Sequence, residues 1–393
     1  MAAGVSADLI FIAICAWLFG CFALRKIVPL RVAMIVALIK TAIPFVYFGW
    51  FRDLGWTILD DMTYRADGAE LLSLHYNPIT ALTPRGIATL TTMSDGHHIL
   101  YAWWNLTAEY LFGPHYYAPV FFNVCLTYVA CYYLYKTALL AGFSVGYCRG
   151  LMVFALLQWD VLTWSSLLNV KDPAVMTLTS ITLYVILRLA RRIEFRLVLG
   201  LLVLVFVFFW IRFYIPLGLM AATGVWTFLY RKGWGKFAVL SCAAAASVAL
   251  AMKIGFGNLS LLLSLLHPEE IVPGTVRLML TPQPWSLESA STFLFASSTL
   301  HWLLFPATLF GGYVLWRQST DARLLLIYAL ITAVLYGMVD ALSGPRQRAQ
   351  IDFILAWMQF QCAWSILTAI RRRRRPTAMN AVIEESAALP HIS

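Results

Sequence analysis

The sequence predicts an all-α integral membrane protein of about eleven transmembrane helices. Three observations carry this expectation. Hydrophobic residues make up 61% of the 393 and charged residues only 12%, against about 25% charged in a soluble domain. Apolar runs able to cross a hydrocarbon core of about 30 Å recur along the chain. Most of the net charge of +10 sits in short basic clusters between those runs, where the preference of Lys and Arg for cytoplasmic loops places it. That distribution argues against nucleic acid as a partner.

In chain order the expected spans are Leu9–Leu24, Val32–Phe51, Tyr116–Leu140, Leu151–Leu168, Ala174–Leu189, Leu197–Ile211, Pro216–Tyr230, Phe237–Met252, Leu300–Trp316, Leu324–Leu342 and Ile351–Ile370. No basic segment precedes the first run and no small-residue cleavage site follows it, so it is expected as a retained span. The stretch "HHILYAWWNLTAEYLFG" is apolar but interrupted, and is expected along the membrane interface that Trp and Tyr favour. Residues 1–371 read as one membrane domain with long outer loops at 52–115 and 255–299. Residues 372–393 begin basic and carry no core-forming pattern, which predicts a disordered cytoplasmic tail.

Threading the spans alternately puts 19 basic residues on one side and 9 on the other, with Lys40 inside a span. The richer side is expected to be cytoplasmic, the N-terminus outside and the C-terminus inside. This fits a multi-pass protein of a bacterial inner membrane with its working face outward. Of the acids, only Glu194, Asp321, Glu384 and Glu385 then lie inside. No glycine-rich phosphate loop accompanies them, so nucleotide chemistry in the cytoplasm is not expected. The seven cysteines include no C-x-x-C pair and read as small hydrophobes. Two glycosylation sequons begin at Asn105 and Asn258.

Five outer segments concentrate chemistry. In "ILDDMTYRADGAELL", Asp60, Tyr64, Asp67 and Leu71 share one helical face. Asp61 and Arg65 form an i, i+4 pair on the next. An interfacial helix capped by Asp60, with Asp61 held by Arg65, leaves Tyr64 and Asp67 unexplained. In "SLLNVKDPAV", Pro173 suits the first position of a helix. Asp172 either caps that helix beside Lys171 or offers a second carboxylate facing the first loop. Arg212 in "FWIRFYIPLG" either snorkels to headgroups or clamps a phosphate. In "HPEEIVPGTVRLMLTPQPW", His267, Glu269 and Glu270 match no strong metal-ligand spacing, and "TPQPW" reads as a rigid turn ending in an interfacial Trp285. In "SGPRQRAQIDFILAW", Arg346 and Arg348 stand where basic residues are disfavoured. They call for an anionic partner, either a headgroup or the phosphate of a lipid-linked substrate.

Taken in order, the "DD" with a nearby Tyr, the "KD" turn, the "RFY" span end, the "PQPW" loop and the "G-P-R-x-R" turn resemble the GT-C superfamily. Its members are multi-spanning glycosyltransferases that use polyprenyl-phosphate-linked sugars. The likeness runs from about Asp60 to Trp357 and is nearest the branch of protein O-mannosyltransferases and lipid A sugar transferases. Where such relatives read R-Y/F-R-x-P before the last span, this chain has "RQRAQ". The resemblance implies Asp60 or Asp61 as the base that deprotonates an acceptor hydroxyl, with Asp172 positioning the acceptor or a metal. It implies Tyr64, Asp67, Lys171, Arg212, Arg346 and Arg348 around the substrate, the arginines on the donor phosphate. The "DD" pair lacks the D-x-D spacing of metal-dependent relatives, so a divalent cation is compatible with the site and not demanded by it. Two other readings remain open. One is a lipid-linked oligosaccharide polymerase or ligase. The other is a lipid-glycan transporter or flippase, which would place charge near the membrane midplane.

Overall fold

A computed structural model describes residues 5–51, 59–94, 98–212, 214–230, 266–339 and 344–387, with the single positions 235 and 241. Among the described residues every regular element is helical and no strand occurs. The α-helices are α1 (Ala7–Leu24), α2 (Leu30–Val46), α3 (Leu59–Ser73), α4 (Pro84–Met93), α5 (Ile99–Phe112), α6 (Tyr117–Leu140), α7 (Val145–Leu157) and α8 (Trp159–Ser166). They continue as α9 (Asp172–Arg191), α10 (Phe195–Phe209), α11 (Ile215–Tyr230), α12 (Ile271–Leu280), α13 (Phe295–Gln318), α14 (Thr320–Gly337), α15 (Pro345–Arg348) and α16 (Asp352–Ala387).

Among the described residues, seven helical segments are long and apolar enough to cross a membrane, built on α1, α2, α6, α9, α13, α14 and α16. The expected span at 151–168 is two helices, α7 and α8, bent by 48° at one residue, and counts as an eighth if it crosses as a unit. The expected spans near 197–211 and 216–230 are the shorter apolar helices α10 and α11, of 15 and 16 residues. At 1.5 Å per residue they are about 22–24 Å long. The expected span Phe237–Met252 falls outside the described residues.

Local chemistry sets the helix starts. Ser6, Ser144 and Ser319 each accept a backbone N–H from the first turn of the helix that follows, satisfying a donor that has no intrahelical partner. At the α7–α8 break, Gln158 turns to an extended backbone and its side chain accepts the Val161 N–H at 2.8 Å. The break frees the Leu156 carbonyl, which receives the Lys40 ammonium at 3.2 Å. The mid-span lysine therefore ties α2 to the break and is fully buried.

Helices α6 and α9 form the centre, with 67% of each span buried against 33% for α1. Thr177, Ser180 and Thr182 let α9 bury hydroxyls by donating back to carbonyls of their own helix. Glycines mark the closest crossings. A Cβ on Gly311 of α13 would collide with the Met358 carbonyl of α16, and one on Gly274 of α12 with the Gly337 carbonyl of α14. Small residues at such points let backbones approach where lipid supplies no hydrophobic drive between helices.

The turns sort to two ends. At one, Ser319 donates to the Ala141 carbonyl, Arg191 pairs with Asp321 at 2.7 Å and Arg188 with Glu194 at 3.4 Å. At the other, the start of α1 meets the start of α6 through Ser6–Tyr117 and Asp8–His115 contacts. There α3, α4 and α5 enclose a satellite core of Leu71, Ala81, Leu90, Ile99, Ala102 and Leu106. So α5, expected to lie along the interface, is packed against α3 with an inner face that is fully buried. Helix α16 runs past the five arginines to Ala387.

Candidate functional site

Between α8 and α9 the chain leaves helical geometry at 167–171 while staying buried, so its backbone polar groups need partners. Asp61 of α3 supplies one, because its Oδ1 accepts the Asn169 N–H at 2.9 Å. Its Oδ2 accepts the Tyr116 hydroxyl. Asn123 of α6 donates to the Val170 carbonyl at 3.0 Å and to the Tyr101 hydroxyl at 2.9 Å. That hydroxyl donates to the Asn169 side chain at 2.7 Å, and Asn169 donates to Asn105 at 2.6 Å. Helices α3, α5 and α6 thus fix the segment that presents Lys171 and Asp172. The sequon asparagine Asn105 is consumed in this network and fully buried, which removes it as a glycan acceptor.

Asp172 opens α9, where the helix dipole favours an anion. Its side chain is fully buried. Arg212 Nη1 donates to Oδ1 at 2.7 Å and Arg346 Nε to Oδ2 at 2.9 Å. Lys171 adds its charge to the two guanidinium groups around Asp172. Its Nζ lies 2.9 Å from the His98 ring and 5.5 Å from the centre of the Tyr64 ring. His98 Nδ1 stands 3.3 Å from the Ile211 carbonyl. The Lys171 ammonium stands 2.9 Å from both ring nitrogens. Tyr64 meets the rings of His98 and Tyr101 edge-on, with centroids at 5.8 and 4.8 Å. Lys171, Arg212 and Arg346 stand together around the Asp172 carboxylate.

Arg65, expected to hold Asp61, lays its guanidinium over the Tyr116 ring at 5.4 Å. With Asp61 engaged at both oxygens, it acts as the anchor of the Asn169 segment. Both Asp172 oxygens accept from guanidinium groups, one from Arg212 and one from Arg346. Asp60 lies in α3 one turn before Tyr64, and its side chain falls outside the described residues. Asp67 is on the buried side of α3.

Arg348 is not beside Arg346. It is 1% exposed, and its Nη1 donates to the Leu278, Met279 and Thr281 carbonyls at 3.3, 3.1 and 2.7 Å. This is the C-terminal end of α12, where a cation suits the unsatisfied carbonyls. Asp160 and Asp352 flank it at 3.7 and 3.8 Å, and His301 bridges Asp160 and the Met279 carbonyl at 3.3 and 2.7 Å. Arg348 therefore ties the chain before the last helix to the start of the "TPQPW" loop. In that loop Trp285 is exposed. His267 pairs with Glu269 and Glu270 with Arg277, so these acids are accounted for by local ion pairs. Among the described residues no three of His, Cys, Asp and Glu gather as a metal site. Sequence reasoning missed His98, Tyr116, Asn123 and Asn169. Only Asn169 carried a signal, as a lone amide two residues before "KD" in an apolar run.

Glu109 of α5 faces Gly68 of α3, where a Cβ would stand 2.9 Å from its Oε1. Burial pushes this carboxyl up to about 7, against a smaller opposing pull from Arg65. A raised carboxyl pKa means the folded state holds its proton more tightly than the unfolded chain. Stability from this group is therefore present below the ordinary value of 4.5 and is lost as pH rises toward 7. Glu109→Gln is expected to remove that dependence and to raise the melting temperature at pH 8. Thermal unfolding in detergent from pH 5 to 8 measures it, and parallel wild-type and variant curves would refute the assignment.

No protein-family model, curated protein or solved structure matches this chain.

Proposed function

We propose that the chain is a GT-C-like membrane glycosyltransferase that moves a sugar from a polyprenyl-phosphate donor to a lipid, glycan or protein acceptor. It does so on the non-cytoplasmic face of a bacterial inner membrane, in a bundle of about eleven spans. The observation that carries this reading is the Asp172–Arg212–Arg346 cluster with Lys171 beside it. It lies at the end of the bundle opposite the basic turns. A carboxylate buried between two guanidinium groups fixes their geometry before any ligand arrives. Arg346, at 15% exposure, is the more reachable of the two.

In the reaction the acceptor oxygen attacks the anomeric carbon as the bond from that carbon to the phosphate oxygen breaks. The electron pair leaves with the phosphate, where Arg346 and Lys171 stabilise it. The acceptor proton passes to Asp60. Arg212 and Asp172 hold Arg346 in place, and Asp61 holds the segment that carries Lys171. A second reading, a lipid-glycan transporter, is favoured by the broken helix α7–α8 with Asp160, His301, Arg348 and Asp352 buried beside it.

The test uses the full chain in liposomes with a radiolabelled polyprenyl-phosphate sugar and membrane extract as acceptor. Sugar release from the lipid is expected. Arg346→Ala is expected to raise the donor KM by about 10–100-fold, the value of one hydrogen bond to a charged group. Movement of intact lipid-linked sugar across the bilayer without cleavage would transfer the case to the second reading.

A further inference from the structure

The outer surface of the bundle carries a groove of about 450 Å³ between α2 and α7, within the size range of small-molecule sites. Val28, Val32, Val153, Phe154 and Leu157 line its walls. Its two ends differ in chemistry. One closes on Gln158 and Trp159 at the helix break, where the bond from Lys40 to the Leu156 carbonyl holds α2 against α7. The other opens beside Arg149 near the start of α7, about 12 Å of helix away. Because the Lys40 bond fixes the closed end, the groove stands preformed.

Arg149 is exposed, and among the described residues it has no hydrogen bond, ion pair or ring partner. At this end of the bundle Arg188 and Arg191 are matched by Glu194 and Asp321. Among the described residues Arg149 has no such carboxylate, and neither do Lys26 and Arg31 beside the start of α2. Two other surface grooves, one along α2 to Leu167 and one between α1 and α2, are lined by no charged residue. In a bilayer an apolar wall alone does not select one lipid from another, because acyl chains are as apolar as the side chains they touch. A cation at one end does select, and a guanidinium fork matches phosphate oxygens.

We infer that the α2–α7 groove seats an acyl chain of an anionic phospholipid, with the headgroup phosphate on Arg149. The site is separate from the Asp172 cluster and does not depend on the transfer reaction. The bound lipid covers the outer side of the Gln158 break.

The experiment places the full chain in nanodiscs of phosphatidylcholine. A trace of either phosphatidylglycerol or phosphatidylcholine is added, carrying a photoreactive acyl chain, and crosslinked peptides are mapped by mass spectrometry. Residues 150–159 are expected to be labelled about fivefold more by the phosphatidylglycerol probe, the ratio for one basic residue near an anionic surface. Arg149→Gln is expected to remove that preference. Val153→Trp, which fills the groove and leaves Arg149 in place, is expected to lower labelling by both probes. Equal labelling of the wild type by the two probes overturns the proposal, as does a preference that survives Arg149→Gln or labelling unchanged in Val153→Trp.

Discussion

Arg212→Ala is expected to end sugar transfer and to lower the melting temperature of the full chain in detergent. Asp172 is fully buried and Arg212 is 4% exposed, so their 2.7 Å contact has little water to screen it. Removing the arginine leaves the carboxylate with Arg346, a partner already shared with the site opening. Breaking a buried pair from one side costs about 3–5 kcal/mol, because the remaining charge has lost its counterion. Arg212→Lys is expected to recover little, since an ammonium cannot reproduce the planar fork that meets one carboxylate oxygen and leaves the other to Arg346. The double variant Arg212→Ala with Asp172→Asn removes the orphaned charge. It should regain much of the lost stability while transfer stays absent. This split separates a structural pair from a functional one. An unchanged melting temperature in Arg212→Ala would mean water screens the pair, and transfer restored in the double variant would remove both residues from donor binding.

The spanning helices were legible because a helix in lipid is apolar around most of its circumference, so mean hydropathy alone finds α1, α2, α6, α9, α13, α14 and α16. The break at Gln158 was not legible. "LMVFALLQWDVLTWSSLL" is apolar across it, and hydropathy does not register a backbone torsion. Lys171, Asp172, Arg212 and Arg346 could be singled out because ionisable residues are costly in so apolar a chain. Tyr116, Asn123 and Asn169 could not. They are neutral, and their purpose is to satisfy the backbone at 167–171, a need that exists only once the chain is folded. Arg346 and Arg348 looked like one clamp because they are near in sequence. In the helical turn α15, residues two apart point about 200° from each other. One arginine therefore turns to Asp172 and the other to the end of α12.

The adjacent aspartates of α3 should separate in the same way. Asp61→Asn is expected to lower stability by about 1–3 kcal/mol, because an amide cannot accept from both the Asn169 N–H and the Tyr116 hydroxyl as the carboxylate does. Transfer would fall with it, through movement of the segment that carries Lys171. Asp60→Asn is expected to reduce kcat by about 10²–10⁴, the contribution of a positioned general base. The donor KM should not change, because a base acts on the acceptor and not on the phosphate. The two variants are compared by thermal unfolding and by initial rates with saturating polyprenyl-phosphate sugar. A full rate in Asp60→Asn, together with a rate loss at unchanged stability in Asp61→Asn, would move the base to Asp61. Full rates in both would mean that the proton leaves by another route, and the neighbouring imidazole of His98, already bonded to Lys171, would be the next group to replace.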